Sequence, residues 1–260
     1  MKYLLVILLI IVNFPDHSAA GTDFIGNGGD VIFCESGSPF LIQVLEEAEA
    51  KEYFAADPVE NWKNNPTEAA LFYLESLKRR QPLFAQKLEE QIKKFGDETR
   101  FLYGKELADI DDSKHQVVPA GCRIRQAIRL QLTPPKTPLG YPEKYIINGD
   151  LWNLLSTTQK AILILHEVLY EVYLIGSQKD KEKIAGWPNS TQSRYFNVLL
   201  FTKSLDRDLP TEKKLARFFH ENYIRTFQKG PYEFSTFGLS LSDSYFYDNG
   251  RLRATLGDLF

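Results

Sequence analysis

The stretch from Ser156 to Glu171 constrains this chain more than any other. Ile162-Leu163-Ile164-Leu165 is apolar on every side of a helix, and His166-Glu167 follows it directly. A helix that is apolar all round is an interior helix, so the remaining chain has to wrap around it. Burying two ionisable side chains inside such a helix is costly unless something compensates them. Ser156 and Gln159 match a capping box, which fixes the helix start. Gly176 is its expected stop, and a polar loop is expected over 177–188.

Three readings of His166 and Glu167 stay open. In the first, they belong to a buried polar network with Tyr170 and with Arg194 of the next helix. A paired Arg and Glu and a neutral His then satisfy burial without chemistry. In the second, His166 and Glu167 are catalytic acid–base groups in a cleft, with Tyr170, Arg194, Asn197 and Asp30 as binding residues. The third is a zinc site. Zinc peptidases use His-Glu-x-x-His on a helix, with two His four residues apart as ligands. Position 170 here is Tyr, so the second ligand is missing and no metal ligand set can be assigned. No cofactor fingerprint is present.

The N-terminus reads as a secretory signal over residues 1–20. Lys2 is followed by an apolar run from Leu4 to Val12 and by the small residues Ser18-Ala19-Ala20. The run is too short to span a bilayer, and no later stretch has transmembrane length. The expected location is secreted or periplasmic. Cys34 and Cys122 are the two cysteines, and an oxidising compartment makes a bridge between them the leading expectation, with two buried free thiols as the alternative. Closing so long a loop stabilises by ~4–5 kcal/mol on chain-entropy reasoning. The formal charge is −3, and its basic residues are scattered apart from Lys78-Arg79-Arg80, which reads as a solvated face. A nucleic-acid partner is therefore excluded, and no other partner is indicated.

The elements read as α+β, with helices packed on a small β-sheet. Gly26-Asn27-Gly28-Gly29-Asp30 is a turn feeding a strand over 31–34. An anion cradle is its weaker reading, because no Lys-Ser/Thr and no helix follow. A helix is expected from Pro39, capped by Ser38, with Phe40, Leu41, Val44, Leu45 and Ala48 on its apolar face. Residues 55–65 read as loop, with Trp62 as an anchor. Asn65-Pro66 starts a helical stretch that Pro82 kinks or divides and Gly96 ends. A short strand is expected at 101–103. Pro119-Ala120-Gly121-Cys122 is a turn, and alternation over 122–132 marks a half-buried strand. Pro134 to Pro142 is irregular, and 145–147 is a strand. Ser190 or Thr191 caps a helix, which explains Asn189-Ser190-Thr191 more simply than glycosylation does. A helix over 211–228 has Leu215, Phe218, Phe219 and Tyr223 on one side, and His220-Glu221 reads as a solvated edge. Asn249-Gly250 suggests a terminal hairpin. The domain reading is signal peptide 1–20, main domain 21–204, and a helix-plus-hairpin extension 205–260.

Four pieces together resemble a family of uncharacterised exported proteins of predatory Gram-negative bacteria. They are Gly26-Asn27-Gly28-Gly29-Asp30 leading to Cys34; Pro119-Ala120-Gly121-Cys122; Asp150-Leu151-Trp152; and Leu165-His166-Glu167-Val168-Leu169-Tyr170 followed by Asn189-Ser190 and Arg194-Tyr195-Phe196-Asn197. The resemblance runs from about residue 26 to 204. It implies export, and it implies no reaction, since the family has no established activity. The 176–188 loop lacks the His of family members, which weakens a zinc site further. The order helix, strands, His-Glu helix, helix is also distantly similar to a zinc-peptidase core, a likeness of fold alone. Two functions follow as expectations: a non-catalytic envelope or extracellular protein with a buried His-Glu-Tyr-Arg network, or a hydrolase-like enzyme with a degenerate His-Glu-x-x-Tyr site.

Overall fold

The computed structural model describes residues 29–34, 41–59, 64–108, 118–131, 135–136, 140–178, 190–221, 247–248 and 251–252. The signal segment, the Ser38–Pro39 helix start, Trp62, the 179–188 loop, Asn189, the 222–228 end of the last helix and the Asn249-Gly250 turn lie outside them.

Strand β1 (Asp30–Cys34) is the centre of a first sheet. It pairs antiparallel with β2 (Leu41–Val44) on one side and β4 (Cys122–Gln126) on the other. A second sheet has the order β3-β6-β5, with β3 (Thr99–Leu102) parallel to β6 (Tyr145–Asn148) and β5 (Ile128–Leu130) antiparallel to it. Along the chain, α1 (Leu45–Phe54), α2 (Pro66–Tyr73), α3 (Glu75–Arg80) and α4 (Pro82–Lys94) come between β2 and β3. Helices α5 (Gly149–Leu154), α6 (Thr157–Gln178), α7 (Thr191–Phe201), α8 (Leu205–Asp208) and α9 (Glu212–Glu221) follow, with a β7–β8 pair (Tyr247–Asp248, Arg251–Leu252) near the end. This is an α+β fold, and the Tyr247↔Leu252 register is that of the expected hairpin.

Helix α6 is the interior element that its sequence demands. Every residue from Ala161 to Tyr170 is buried, and α2, α4, α7, β2 and β5 pack around it. Its start is the capping box: Gln159 N–H donates to Ser156 Oγ at 3.1 Å, and Ser156 N–H donates to Gln159 Oε1 at 3.0 Å. The Gln159 amide also donates to Ile42 O at 3.1 Å and Glu47 Oε2 at 2.9 Å, which ties the helix start to β2 and α1. Gly176 does not end the helix, which runs on to Gln178. A helix this long, already anchored by packing, absorbs the ~1 kcal/mol that an interior glycine costs.

The helix expected from Pro39 starts later, at Leu45. Residues 41–44 pair with β1 instead, with Ile42 opposite Phe33 and Val44 opposite Val31. An apolar run this short serves a helix face or a strand, and the neighbouring strand decided it. The strand expected over 122–132 is divided at Ala127. There Gly29 O accepts from both Ala127 N–H (2.8 Å) and Ile128 N–H (3.3 Å), and the chain passes from pairing β1 to pairing β6. Pro82 gives two helices rather than one kinked helix. The residue before a proline is pushed off helical geometry, and Gln81 has φ −136° and ψ 65°.

Along β1, Val31 and Phe33 face the main core while Ile32 and Cys34 face a smaller cluster with Leu45, Ala48 and Val118. The disulfide joins Cys34 to Cys122 at directly opposed positions of β1 and β4, with Cα atoms 4.2 Å apart. Residues past 204 also enter the main core: Leu205, Leu209, Leu215 and Phe219 are buried in it. Of the Lys78-Arg79-Arg80 cluster, expected as a solvated face, Arg79 and Arg80 reach this segment. Arg80 Nε lies 2.9 Å from Glu212 Oε1, Arg80 Nη1 donates to Leu209 O at 2.5 Å, and Arg79 pairs with Asp206 at 2.9 Å.

Candidate functional site

His166 projects from the middle of α6 and is fully buried. Its Nδ1 is hydrogen-bonded to Glu46 Oε1, a buried carboxylate in the first turn of α1. Burial opposes charge on both groups and is the largest single influence on each. Their mutual attraction outweighs it: His166 is held above its ordinary 6.5 and Glu46 below its ordinary 4.5. The pair is therefore imidazolium and carboxylate over the pH range between those two values. Asn197 of α7 completes it, donating to Ile162 O at 3.0 Å and reaching Glu46 Oε1 at 3.4 Å. Arg194, one turn earlier on α7, donates to Ser190 Oγ at 2.7 Å and lies 3.3 Å from Glu49 Oε1. Burial pushes the Glu49 carboxyl up to about 7, even though Arg194 pulls it down.

Glu167 contrasts with its neighbours. It is fully buried, and neither carboxylate oxygen has a hydrogen-bond partner among the described residues. Glu171, four residues on and on the same helix face, has two donors: Lys144 Nζ at 2.8 Å and the Tyr145 hydroxyl at 2.6 Å. Burial, with Glu46 and Glu171 adding repulsion against the pull of His166, raises Glu167 to about 7. Its carboxylate lies against the backbone of Gly29. A Cβ on Gly29 would stand 3.0 Å from Glu167 Oε1 and 2.7 Å from Ile128 Cβ, and Gly29 has a φ of +69°. The glycine of the turn motif is thus required here twice, for its backbone sign and for the space it leaves.

The six candidate residues are brought together only in part. His166 and Asn197 share one hydrogen-bonded cluster, and Tyr170 lies beside it, its ring centroid 6.1 Å from that of His166. Arg194 is buried next to it, but its carboxylate partner is Glu49 rather than Glu167. Asp30 is buried at the start of β1, opposite Gln126, and the Gly29 beside it touches Glu167. Glu46 and Glu49 were missed by sequence reasoning. The available signal was their spacing: Glu46, Glu49, Ala50 and Tyr53 fall on one face of α1, and Ala50 is fully buried.

Among the described residues, no group of three or more His, Cys, Asp or Glu side chains is placed to hold a metal ion. With Nδ1 on Glu46, His166 offers one ligand atom, Nε2, and position 170 supplies a phenol in place of the second imidazole, so these donors do not fit a zinc-peptidase ligand set. A cavity of about 300 Å³ opens between β4 and the 106–108 segment, lined by Glu106, Arg123, Arg125, Gln126 and Asn148. Neither His166 nor Glu167 lines it.

No protein-family model matches this chain, and no curated protein and no solved structure is similar to it. The chain holds a disulfide, and no helix among the described residues is long and apolar enough to cross a membrane.

Proposed function

We propose that this protein is an exported, non-catalytic envelope or extracellular protein whose buried acid–base groups serve its own architecture. The observation that carries this reading is the seal on the dyad. His166 and Glu167 have no exposed surface, and the His166 imidazole is held in its charged form by Glu46. A general base needs hydrogen-bond reach to the proton it abstracts, and a group with no exposed surface offers a substrate none. The signal-like N-terminus, the family resemblance and the Cys34–Cys122 bridge support export.

The test is metal analysis of the purified mature protein, with thermal unfolding before and after chelation and Glu167→Gln measured beside the wild type. The reading predicts sub-stoichiometric metal and a melting temperature that chelation leaves unchanged. Stoichiometric zinc, lost on chelation together with stability, would overturn it in favour of the hydrolase-like alternative.

A further inference from the structure

We propose that the face formed by the end of β3 and the start of α5 is a binding platform for an acidic polysaccharide. Phe101 is 41% exposed and Tyr103 is 59% exposed. Their rings are close to parallel, 20° apart with centroids separated by 6.4 Å. Trp152 of α5 adds a third ring, edge-on to Phe101 at 6.2 Å. Exposed aromatic side chains in mutual contact mark interaction surfaces far more often than isolated ones do.

The platform is held rigid from below. The Tyr103 ring lies on Gly149: a Cβ there would come within 2.3–2.7 Å of its Cδ1, Cε1 and Cζ atoms. The backbone beyond it is pinned to the same helix, with Gly104 N–H donating to Asp150 Oδ2 at 2.7 Å and Asn148 Nδ2 donating to Lys105 O at 3.3 Å. One ring face is thus packed and the other is open. Surfaces ordered before binding lose little entropy when a ligand arrives.

The chemistry of the rim selects the ligand. Lys105 follows the platform in sequence and forms no ion pair with a described residue. Lys160 Nζ stands 5.8 Å from the Trp152 ring centroid. Two acids neighbour them among the described residues: Asp150 accepts from Gly104 N–H, and Glu106 pairs with Arg125 at 2.8 Å. The negative face of an aromatic ring attracts polarised C–H groups, and a pyranose ring presents such a face with hydroxyls around its edge. Two adjacent rings suit successive sugars of an extended chain, and the two ammonium groups complement carboxylates on it. A bilayer is the weaker partner, because the Tyr103 ring is seated on Gly149 instead of projecting as an apolar wedge. The inference is independent of whether His166 and Glu167 are catalytic.

The test is calorimetric titration of the mature protein with tetramannuronate as the acidic probe and cellotetraose as the neutral one. Phosphatidylcholine–phosphatidylglycerol vesicles are assayed in parallel. The expected result is saturable binding of tetramannuronate, weakened about tenfold or more in Tyr103→Ala and Phe101→Ala. Tyr103→Phe and the distant Leu83→Ala should retain wild-type affinity, and cellotetraose should bind several-fold more weakly. Should Tyr103→Ala fail to fold, Lys105→Gln/Lys160→Gln decides instead, by abolishing the preference for the acidic over the neutral probe. No saturable binding by the wild type, affinity unchanged in these variants, or binding to vesicles alone would overturn the proposal.

Discussion

Replacing Glu167 by Gln should stabilise the protein at alkaline pH and leave it nearly unchanged at acid pH. The carboxyl has a pKa of 4.5 in ordinary surroundings and about 7 in the folded chain. A carboxyl whose pKa rises on folding binds more protons in the folded state than in the unfolded state. Stability therefore falls as pH climbs from about 4.5 to about 7 and stays reduced above that. A rise of that size costs the folded state about 3 kcal/mol once the group is ionised. Gln keeps the shape and carries no charge, so the variant escapes this cost. Urea unfolding at pH 5 and pH 8.5 with the disulfide intact measures the difference. At pH 8.5 the variant should gain about 3 kcal/mol, or ~6–12 °C in melting temperature for a domain of this size. At pH 5, where the unfolded carboxyl is already partly ionised, the gain should shrink to about 1 kcal/mol or less. A variant destabilised at pH 8.5 would show that the ionised carboxylate has a partner, and the reasoning would fail.

Three further outcomes follow from the same geometry. Glu46→Gln leaves a buried imidazole without its counter-charge and should cost about 3–5 kcal/mol in urea unfolding, whereas Glu46→Leu with His166→Leu should cost far less; a double variant as unstable as the two single losses combined would contradict the pair. Gly29→Ala adds a methyl where Ile128 and Glu167 already stand and forces a positive φ on a residue with a side chain, so it should lose about 3 kcal/mol or more, read by thermal melting. Reducing the Cys34–Cys122 bridge, whose partners are 88 residues apart, should lower stability by about 4–5 kcal/mol in matched unfolding curves, and no change would show that the unfolded chain is already compact there.

The sequence made some of this legible and hid the rest for physical reasons. Helix α6 was readable because an unbroken apolar turn and a capping box both act locally. The Cys34–Cys122 bridge was readable because a signal-like N-terminus sets the expectation of an oxidising compartment, where two cysteines have few alternatives. Leu41–Val44 was misread because four apolar-rich residues fit either a strand or a helix face, and β1, a non-local partner, decides between them. The helix α6 end was placed two residues early because the ~1 kcal/mol that an interior glycine costs does not by itself stop a helix of 22 residues. Within the candidate site, His166 and Glu167 stood out as charges in an apolar helix, while Glu46 did not. A glutamate in the first turn of a helix is what the helix dipole favours on any surface, so the spacing with Glu49, Ala50 and Tyr53 is the one weak local mark of Glu46's burial. The same holds for Arg80, which reads as part of a solvated basic run and instead clamps Glu212 and Leu209.

The ion pair between His166 and Glu46 in a sealed core is the claim on which the rest depends. A titration of the His166 imidazole by NMR tests it most directly. The account predicts that in the folded protein its pKa lies above the ordinary 6.5, and that Glu46→Gln brings it down because burial then acts unopposed. A His166 that titrates at or below 6.5 in the wild type, and does not respond to Glu46→Gln, would contradict it.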